Sequence, residues 1–244
     1  MHGDNPIRGQ EDAFGQTLRV QEVFPTIQGE GPFAGIPSVF VRLAGCNLAC
    51  WFCDTDFESN IDNIVSVDHV VELVVAYIKG TGTRLVVLTG GEPYRQNIDS
   101  LIVLLTEHGY HVQVETAGTI FREPPVRISV FHDEPGMSIV VSPKTGRIDK
   151  RFLPYVSALK YIVRADELAE YDGLPIMSTQ AHSRGEQRVL QRPWVAETIP
   201  VVYLQPMDEP DPSATAKNVR AAVDSCMKHG HRLSIQMHKA VGIP

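Results

Sequence analysis

The sequence predicts an α/β fold with a mainly parallel sheet, closed only in part: a partial (β/α) barrel. Three observations predict it. Short apolar runs alternate along the chain with amphipathic runs of helical period. The apolar runs are nearly continuous, as expected of strands covered on both faces. Polar and glycine-rich motifs recur just after those runs, at the carboxyl edge where ligands of parallel folds gather.

The elements follow in order. Ser38 to Leu43 reads as a strand. Val67 to Lys79 carries apolar residues at helical spacing, with Ser66 as its cap. Arg84 to Leu88 is a strand and Ile98 to Glu107 a helix. His111 to Glu115, Ser138 to Val141, Ala158 to Val163 and Pro200 to Leu204 supply further strands. Helices are expected near Glu167 and from Ser213 to Lys228. Ile120 to Gly136 is rich in proline and charge, and reads as a loop or small insertion. Neither repeats nor a low-complexity linker interrupts the chain. The expected organisation is a polar N-terminal extension over residues 1–17 and a single domain over 18–244.

Composition narrows the function. A chain of 244 residues with 43% hydrophobic content suits one sizeable core. Its four cysteines, three of them clustered, do not form a secreted disulfide framework. Cys226 falls in an expected helix and reads as a small buried residue, not a ligand. Met1 to Gln16 lacks an apolar signal core, and no run approaches a membrane span, so a cytoplasmic enzyme is expected. The net charge of −7 argues against a large nucleic-acid surface.

Cys46, Cys50 and Cys53 form a C-x3-C-x2-C motif directly after the first expected strand. Three thiolates can hold three irons of a 4Fe–4S cluster and leave the fourth open, whereas closed electron-transfer clusters use four cysteines. An open iron points to chemistry on a bound molecule. The alternative is a zinc knuckle completed by a histidine, although zinc ligands usually come as two separated pairs. With the aromatic Phe52 before the last cysteine, the motif resembles that of the radical S-adenosylmethionine (SAM) superfamily. The resemblance implies that the open iron chelates SAM.

Motifs at the other strand ends agree. Thr89-Gly-Gly-Glu-Pro93 follows one strand; its glycines let backbone approach a ligand, and Glu92 can receive an ammonium group. Glu115-Thr-Ala-Gly118, Val141-Ser-Pro-Lys144 and Leu204-Gln-Pro-Met-Asp208 follow others. Each taken alone reads as polar loop chemistry. Their recurrence at strand ends is the specific signal.

A narrower resemblance rests on Phe24-Pro-Thr-Ile-Gln-Gly-Glu-Gly31, Gly35 to Leu43, Gly45 to Cys50, Cys53-Asp-Thr55, Thr89 to Pro93 and Ser234 to Pro244. Together these resemble the 7-carboxy-7-deazaguanine synthase family, over roughly residues 18–244. The resemblance implies conversion of 6-carboxy-5,6,7,8-tetrahydropterin to 7-carboxy-7-deazaguanine, with ring contraction and loss of ammonia, for queuosine and related deazapurines. It implies that SAM is cleaved reductively, that hydrogen leaves C6 of the pterin, and that hydrogen returns after rearrangement. Cys46, Cys50 and Cys53 then carry the cluster, and Phe52, Cys53, Asp54, Gly91, Glu92, Ser142, Pro143, Lys144, Gln205, Pro206, Met207 and Asp208 contact SAM. Thr116 is a further, subsidiary contact.

For the pterin, Ile27, Gln28, Gly29 and Glu30 read the polar edge, Arg42 forks onto an oxygen, and Thr89, His238 and Pro244 add contacts. Glu30 and Arg42 read equally, in isolation, as surface charges or a structural ion pair. Thr55 matches the protein ligand of a Mg2+ ion beside the substrate. Pro244 is expected to bring the terminal carboxylate to the substrate; a frayed tail is the usual fate of a terminus. A homodimer and a flavodoxin-like or ferredoxin-like electron donor are also implied. Two other classes share the cysteine loop: an activase that takes hydrogen from a glycine of a partner protein, and a non-enzymatic zinc-binding module.

Overall fold

In the computed structural model, which describes residues 5–11, 14–180, 190–193 and 200–244, strands and helices alternate along much of the chain. The strands are β1 (Thr17–Ile27), β2 (Pro37–Leu43), β3 (Ile64–Ser66), β4 (Leu85–Gly90), β5 (His111–Thr116), β6 (Gly136–Val141), β7 (Val156–Val163), β8 (Val201–Pro206) and β9 (Arg232–Leu233). Among the described residues the helices are α1 (Val67–Ile78), α2 (Asp99–Glu107), α3 (Pro212–His229) and α4 (Met237–Val241).

All the strands join one sheet of order β3-β1-β2-β4-β5-β6-β7-β8-β9. From β2 to β9 every pairing is parallel; β1 pairs antiparallel with β2 and with β3. The end strands β3 and β9 do not meet, so the barrel is open, as expected.

Burial explains the parallel strands. Leu85, Val86, Val87 and Leu88 of β4 are all buried, as is every residue of β6. Helix α1 buries Val67, Val70, Val71, Val74 and Ile78 on one face, and the Ser66 hydroxyl accepts from the His69 amide at its start. Each such aliphatic side chain contributes about 1.5–3 kcal/mol when fully buried.

Besides the short β3, β9 and α4, which were not expected, three elements differ from expectation. Near Glu167 there is only a 3-10 turn, Ala165–Glu167, which buries no residue and has no apolar face to dock a helix. The last long strand runs Val201–Pro206, two residues beyond Leu204. Strand β1 was not expected at all. Its sequence mixes charges with apolar residues and includes Pro25, so its strand state comes from pairing with β2, in the register Phe24 to Phe40 and Glu22 to Arg42. The stretch from Ile120 to Pro135 contains neither helix nor named strand, in keeping with a loop.

Candidate active site

Because β2 and β4 to β8 run parallel, their carboxyl ends lie along one edge of the sheet. A cavity of about 770 Å³ opens there, large enough for more than one small molecule.

The cysteine loop leaves β2 beside the end of β4, where Leu43 pairs with Gly90. The Gly91 amide donates to the Leu43 carbonyl at 3.2 Å, and the Glu92 amide to the Gly45 carbonyl at 3.1 Å. A Cβ on Gly91 would lie 2.1 Å from the Gly45 oxygen and 2.9 Å from Cys46 Cβ. The glycine is therefore required to seat the cysteine loop, whatever it does for a ligand.

Cys46, Cys50 and Cys53 are all half-buried free thiols that line the cavity. Burial pushes the Cys46 thiol far above its ordinary range, and Glu92, Cys50 and Cys53 add to that. Burial raises Cys53 as well. Bare thiolates at Cys46 and Cys53 are thus disfavoured, and a soft metal centre would compensate their charge. Among the described residues, no group of three His, Cys, Asp or Glu converges as the ligands of one metal ion. Three half-buried thiols on one cavity are the donor set that a 4Fe–4S cluster with one open iron takes. Gln180 backs the loop: its side-chain amide donates to Cys50 Sγ at 3.2 Å, and its Oε1 accepts from the Ala49 amide at 3.0 Å. Cys226 packs against the core from α3 and does not line the cavity.

The expected SAM contacts lie around the loop. Phe52, Asp54, Gly91, Ser142, Lys144, Gln205, Pro206, Met207 and Asp208 all line the cavity. Lys144 donates to Ser142 Oγ and sits 5.9 Å above the Phe52 ring. Burial lowers the pKa of Lys144, against the pull of Cys50. Gln205 Oε1 is buried without a hydrogen-bond partner, an acceptor ready for an incoming donor. Lys239 bridges Asp54 and Asp208 at 2.8 Å each. Burial opposes ionisation of Asp54, yet the Lys239 ammonium, with Gln236 and Thr55, brings it down to about 2.

Two expected SAM contacts stand back from the cavity wall. Pro143 is not part of the lining, and Glu92 is 1% exposed. Glu92 accepts from the Tyr94 amide at 3.1 Å, Thr116 Oγ1 at 2.8 Å and the Ala117 amide at 2.9 Å. Burial raises it to about 7 despite those donors. Its oxygens hold the turn together, Oε1 with two donors and Oε2 with one. Thr116 itself lines the cavity.

The other half of the cavity is a polar network around Glu30. Its carboxylate accepts from Gln205 at 3.1 Å and Gln236 at 2.9 Å, and pairs with the Lys160 ammonium. Burial works against its charge, but Lys160 and Gln236 keep Glu30 ionised below its ordinary range. Lys160 lies 3.9 Å from Glu115, and Glu115 with Glu30 raises its pKa against burial. Glu115 accepts from Gln28 at 3.1 Å and Thr89 at 3.2 Å.

Ile27, Gln28, Glu30, Arg42, Thr55, Thr89, His238 and Pro244 all line the cavity. Arg42 is held at the rim by Glu22 at 2.7 Å, with its guanidinium 5.4 Å from the Phe24 ring centroid. Gly29 is not part of the wall; a Cβ there would lie 2.3 Å from His238 Nδ1, so its role is to admit the histidine. Pro244 folds back over β1, where its carbonyl oxygen accepts from Thr26 Oγ1.

Lys160, Glu115, Gln236 and Lys239 were not among the expected contacts. Lys160 left a trace in the sequence, as the one charge within the apolar run Ala158 to Val163. Gln236 and Lys239 lie inside the Ser234–Pro244 motif, but only the return of the C-terminal segment to the cavity shows that they reach it.

The radical SAM superfamily pattern matches residues 41–168. A 7-carboxy-7-deazaguanine synthase from Rhodospirillum rubrum is 42% identical over 250 aligned positions, covering 100% of both chains. This chain belongs to the 7-carboxy-7-deazaguanine synthase family. A second family member, from Rickettsia prowazekii, is 38% identical over 100% of this chain and 96% of its own. The crystal structure of QueE from Escherichia coli shares the fold, with a TM-score of 0.62 at 24% identity over 90% of this chain and 94% of that one. As a radical SAM member of this family, the chain is a lyase that uses a 4Fe–4S cluster and SAM.

Proposed function

We infer that this chain converts 6-carboxy-5,6,7,8-tetrahydropterin to 7-carboxy-7-deazaguanine with release of ammonia, for queuosine and related deazapurines. The observation that carries the substrate reading is a single cavity. The cysteine loop and the Gln28–Glu30 turn open into the same space, so a reacting carbon can lie between them.

When bound, the cluster and SAM supply one-electron reductive cleavage and reversible hydrogen-atom abstraction. The chain's own residues bind, orient and exclude water. Cys46, Cys50 and Cys53 hold the irons. Phe52, Asp54, Gly91, Ser142, Lys144 and the Gln205–Asp208 segment cradle SAM, with Lys239 bridging Asp54 and Asp208.

Glu30, held ionised by Lys160, accepts from the donor edge of the pterin, while Gln28 offers a second polar contact. Thr89 and Glu115 lie beside this edge, and Arg42 at the rim takes an oxygen. His238, whose pKa burial lowers, approaches as a neutral ring, and Pro244 completes the wall. Thr55, which lines the cavity, would supply the protein ligand of a Mg2+ ion, and a single neutral hydroxyl would hold it best with pterin present.

The chain acts as a homodimer in the cytoplasm, with a flavodoxin-like or ferredoxin-like protein as reductant. No helix among the described residues is long and apolar enough to cross a membrane.

The test is anaerobic reconstitution with iron and sulfide, then product analysis with SAM, reductant and the pterin. We expect 7-carboxy-7-deazaguanine and ammonia with no protein substrate added. Turnover only in the presence of a polypeptide acceptor would instead mark an activase.

A further inference from the structure

The N-terminal segment ahead of β1 touches the cysteine loop at both of its ends. Ile7 bridges to Cys46, and the Arg8 amide donates to the Cys46 carbonyl at 2.7 Å. The Asn5 side-chain amide donates to the Thr55 carbonyl at 3.2 Å, and Asn5 lines the cavity. The Arg8 guanidinium grips both oxygens of Glu58, with Nε 2.9 Å from Oε1 and Nη2 2.7 Å from Oε2. That geometry is a bidentate fork.

The far end of the segment is anchored separately. The Glu11 amide donates to the Arg95 carbonyl at 2.8 Å, and Arg95 Nη1 donates to Glu11 Oε1 at 2.7 Å and to the Gly9 carbonyl at 3.1 Å. Arg95 is 1% exposed, and its Nη2 donates to the Ala44 carbonyl at 3.0 Å. Arg19 of β1 donates to Glu11 as well, at 3.0 Å. A buried arginine just after the Gly-Gly-Glu-Pro turn thus ties the segment to the backbone that enters the cysteine loop.

The loop needs such support. Residues 47–63 contain no helix and no strand. A loop of that kind opens locally at low cost unless outside groups hold it. The open fourth iron has no cysteine to hold it, but complete loss of the cluster needs the three cysteines to release their irons, and that is slower from a loop held closed.

We propose that residues Asn5–Glu11 are a strap over the reaction centre, in which Asn5 and Arg8 are positioning residues that hold the cluster loop closed and slow loss of the cluster. This rests on the reading of Cys46, Cys50 and Cys53 as the iron ligands. The strap adds no ligand. It holds the loop at the Cys46 and Thr55 carbonyls and the Glu58 carboxylate, so that opening must break those contacts first.

The test compares reconstituted full-length enzyme with a variant lacking residues 2–8, which keeps Glu11 and its anchors. Iron and sulfide per chain, thermal unfolding, and the rate of bleaching of the visible cluster absorbance under an anaerobic chelator are measured in each. We expect full iron loading, an unchanged unfolding temperature and cluster loss about tenfold faster, the effect of one or two net hydrogen bonds. Arg8→Ala gives part of that acceleration, and Arg8→Lys a smaller part.

Wild-type cluster lifetime in the deletion variant overturns the strap. Should the deletion also lower the unfolding temperature, Arg8→Ala decides, and a wild-type lifetime there overturns the proposal. Cys46→Ala runs alongside. If it retains wild-type iron, the ligand assignment fails; if it loses iron while the deletion changes nothing, only the strap fails.

Discussion

Lys160 is where a single buried charge sets the state of the proposed pterin pocket. It is 6% exposed, its ammonium contacts Glu30, and Glu115 lies 3.9 Å away. At that distance and an effective dielectric of about 20, the attraction to Glu115 alone is about 4 kcal/mol before desolvation is subtracted. Removing one member of a buried pair costs about 3–5 kcal/mol, because the other stays buried and charged. In Lys160→Met, Glu30 escapes that cost by taking a proton. It then presents a hydroxyl donor in place of an anionic acceptor.

Losing one charged hydrogen bond to the pterin edge costs about 1.5–3 kcal/mol, so affinity falls about 10- to 100-fold. The loss carries a pH signature. Glu30 of the variant ionises again as pH rises, and affinity recovers toward alkaline pH. In the wild type Glu30 already lies below its ordinary range, so affinity stays flat over the same window. Lys160→Arg keeps the charge and most of the affinity. The assay is anaerobic calorimetric titration of pterin into SAM-loaded holoenzyme at several pH values, with iron content checked in each protein. Wild-type affinity in Lys160→Met at neutral pH, or a loss that ignores pH, refutes the reasoning.

Three further outcomes are expected. Replacing Cys46, Cys50 or Cys53 by Ala abolishes SAM cleavage and lowers iron content, while Cys226→Ala keeps both; full cleavage by Cys50→Ala would overturn the ligand set. Deleting Pro244 pulls the chain end back by at most ~3.6 Å, beyond hydrogen-bond tolerance, so pterin binding weakens while cluster content is kept. Unchanged pterin affinity would show that Pro244 is not a contact. The third outcome concerns His111, which is fully buried, 3.0 Å from Ser138 Oγ and 3.3 Å from the Glu134 carbonyl. Burial lowers it to about 4 from an ordinary 6.5. The folded state therefore holds a neutral ring that the unfolded chain would protonate. Its contribution is complete above pH 6.5 and is lost as pH falls toward 4, by about 3 kcal/mol at about 1.4 kcal/mol per unit. Urea unfolding of wild type and His111→Gln across that window checks it; equal slopes in the two proteins sink the assignment.

The sequence by itself determined the elements whose signals are local. The continuous apolar runs of β4 and β6 marked strands covered on both faces, and Ser66 with its spaced valines marked α1. The cysteine spacing and the Gln28–Glu30 turn are likewise contiguous, and with the other motifs they carried the family resemblance. Tertiary structure decided whatever depends on distant segments meeting. Strand β1 is polar enough to read as a loop and is a strand only because β2 pairs with it.

Glu92 reads as a ligand group in its motif, and only the fold adds its second duty, accepting from the Tyr94 and Ala117 amides and the Thr116 hydroxyl. Gly91 reads as a place for a ligand, and its first duty is to let Cys46 pack. Lys160 joins Glu30 across 130 positions of chain, and Lys239 joins Asp54 across 185. No local pattern encodes such pairs. They form because the parallel strands bring their carboxyl ends to one edge, and because a buried charge must find a partner there or lose its ionisation.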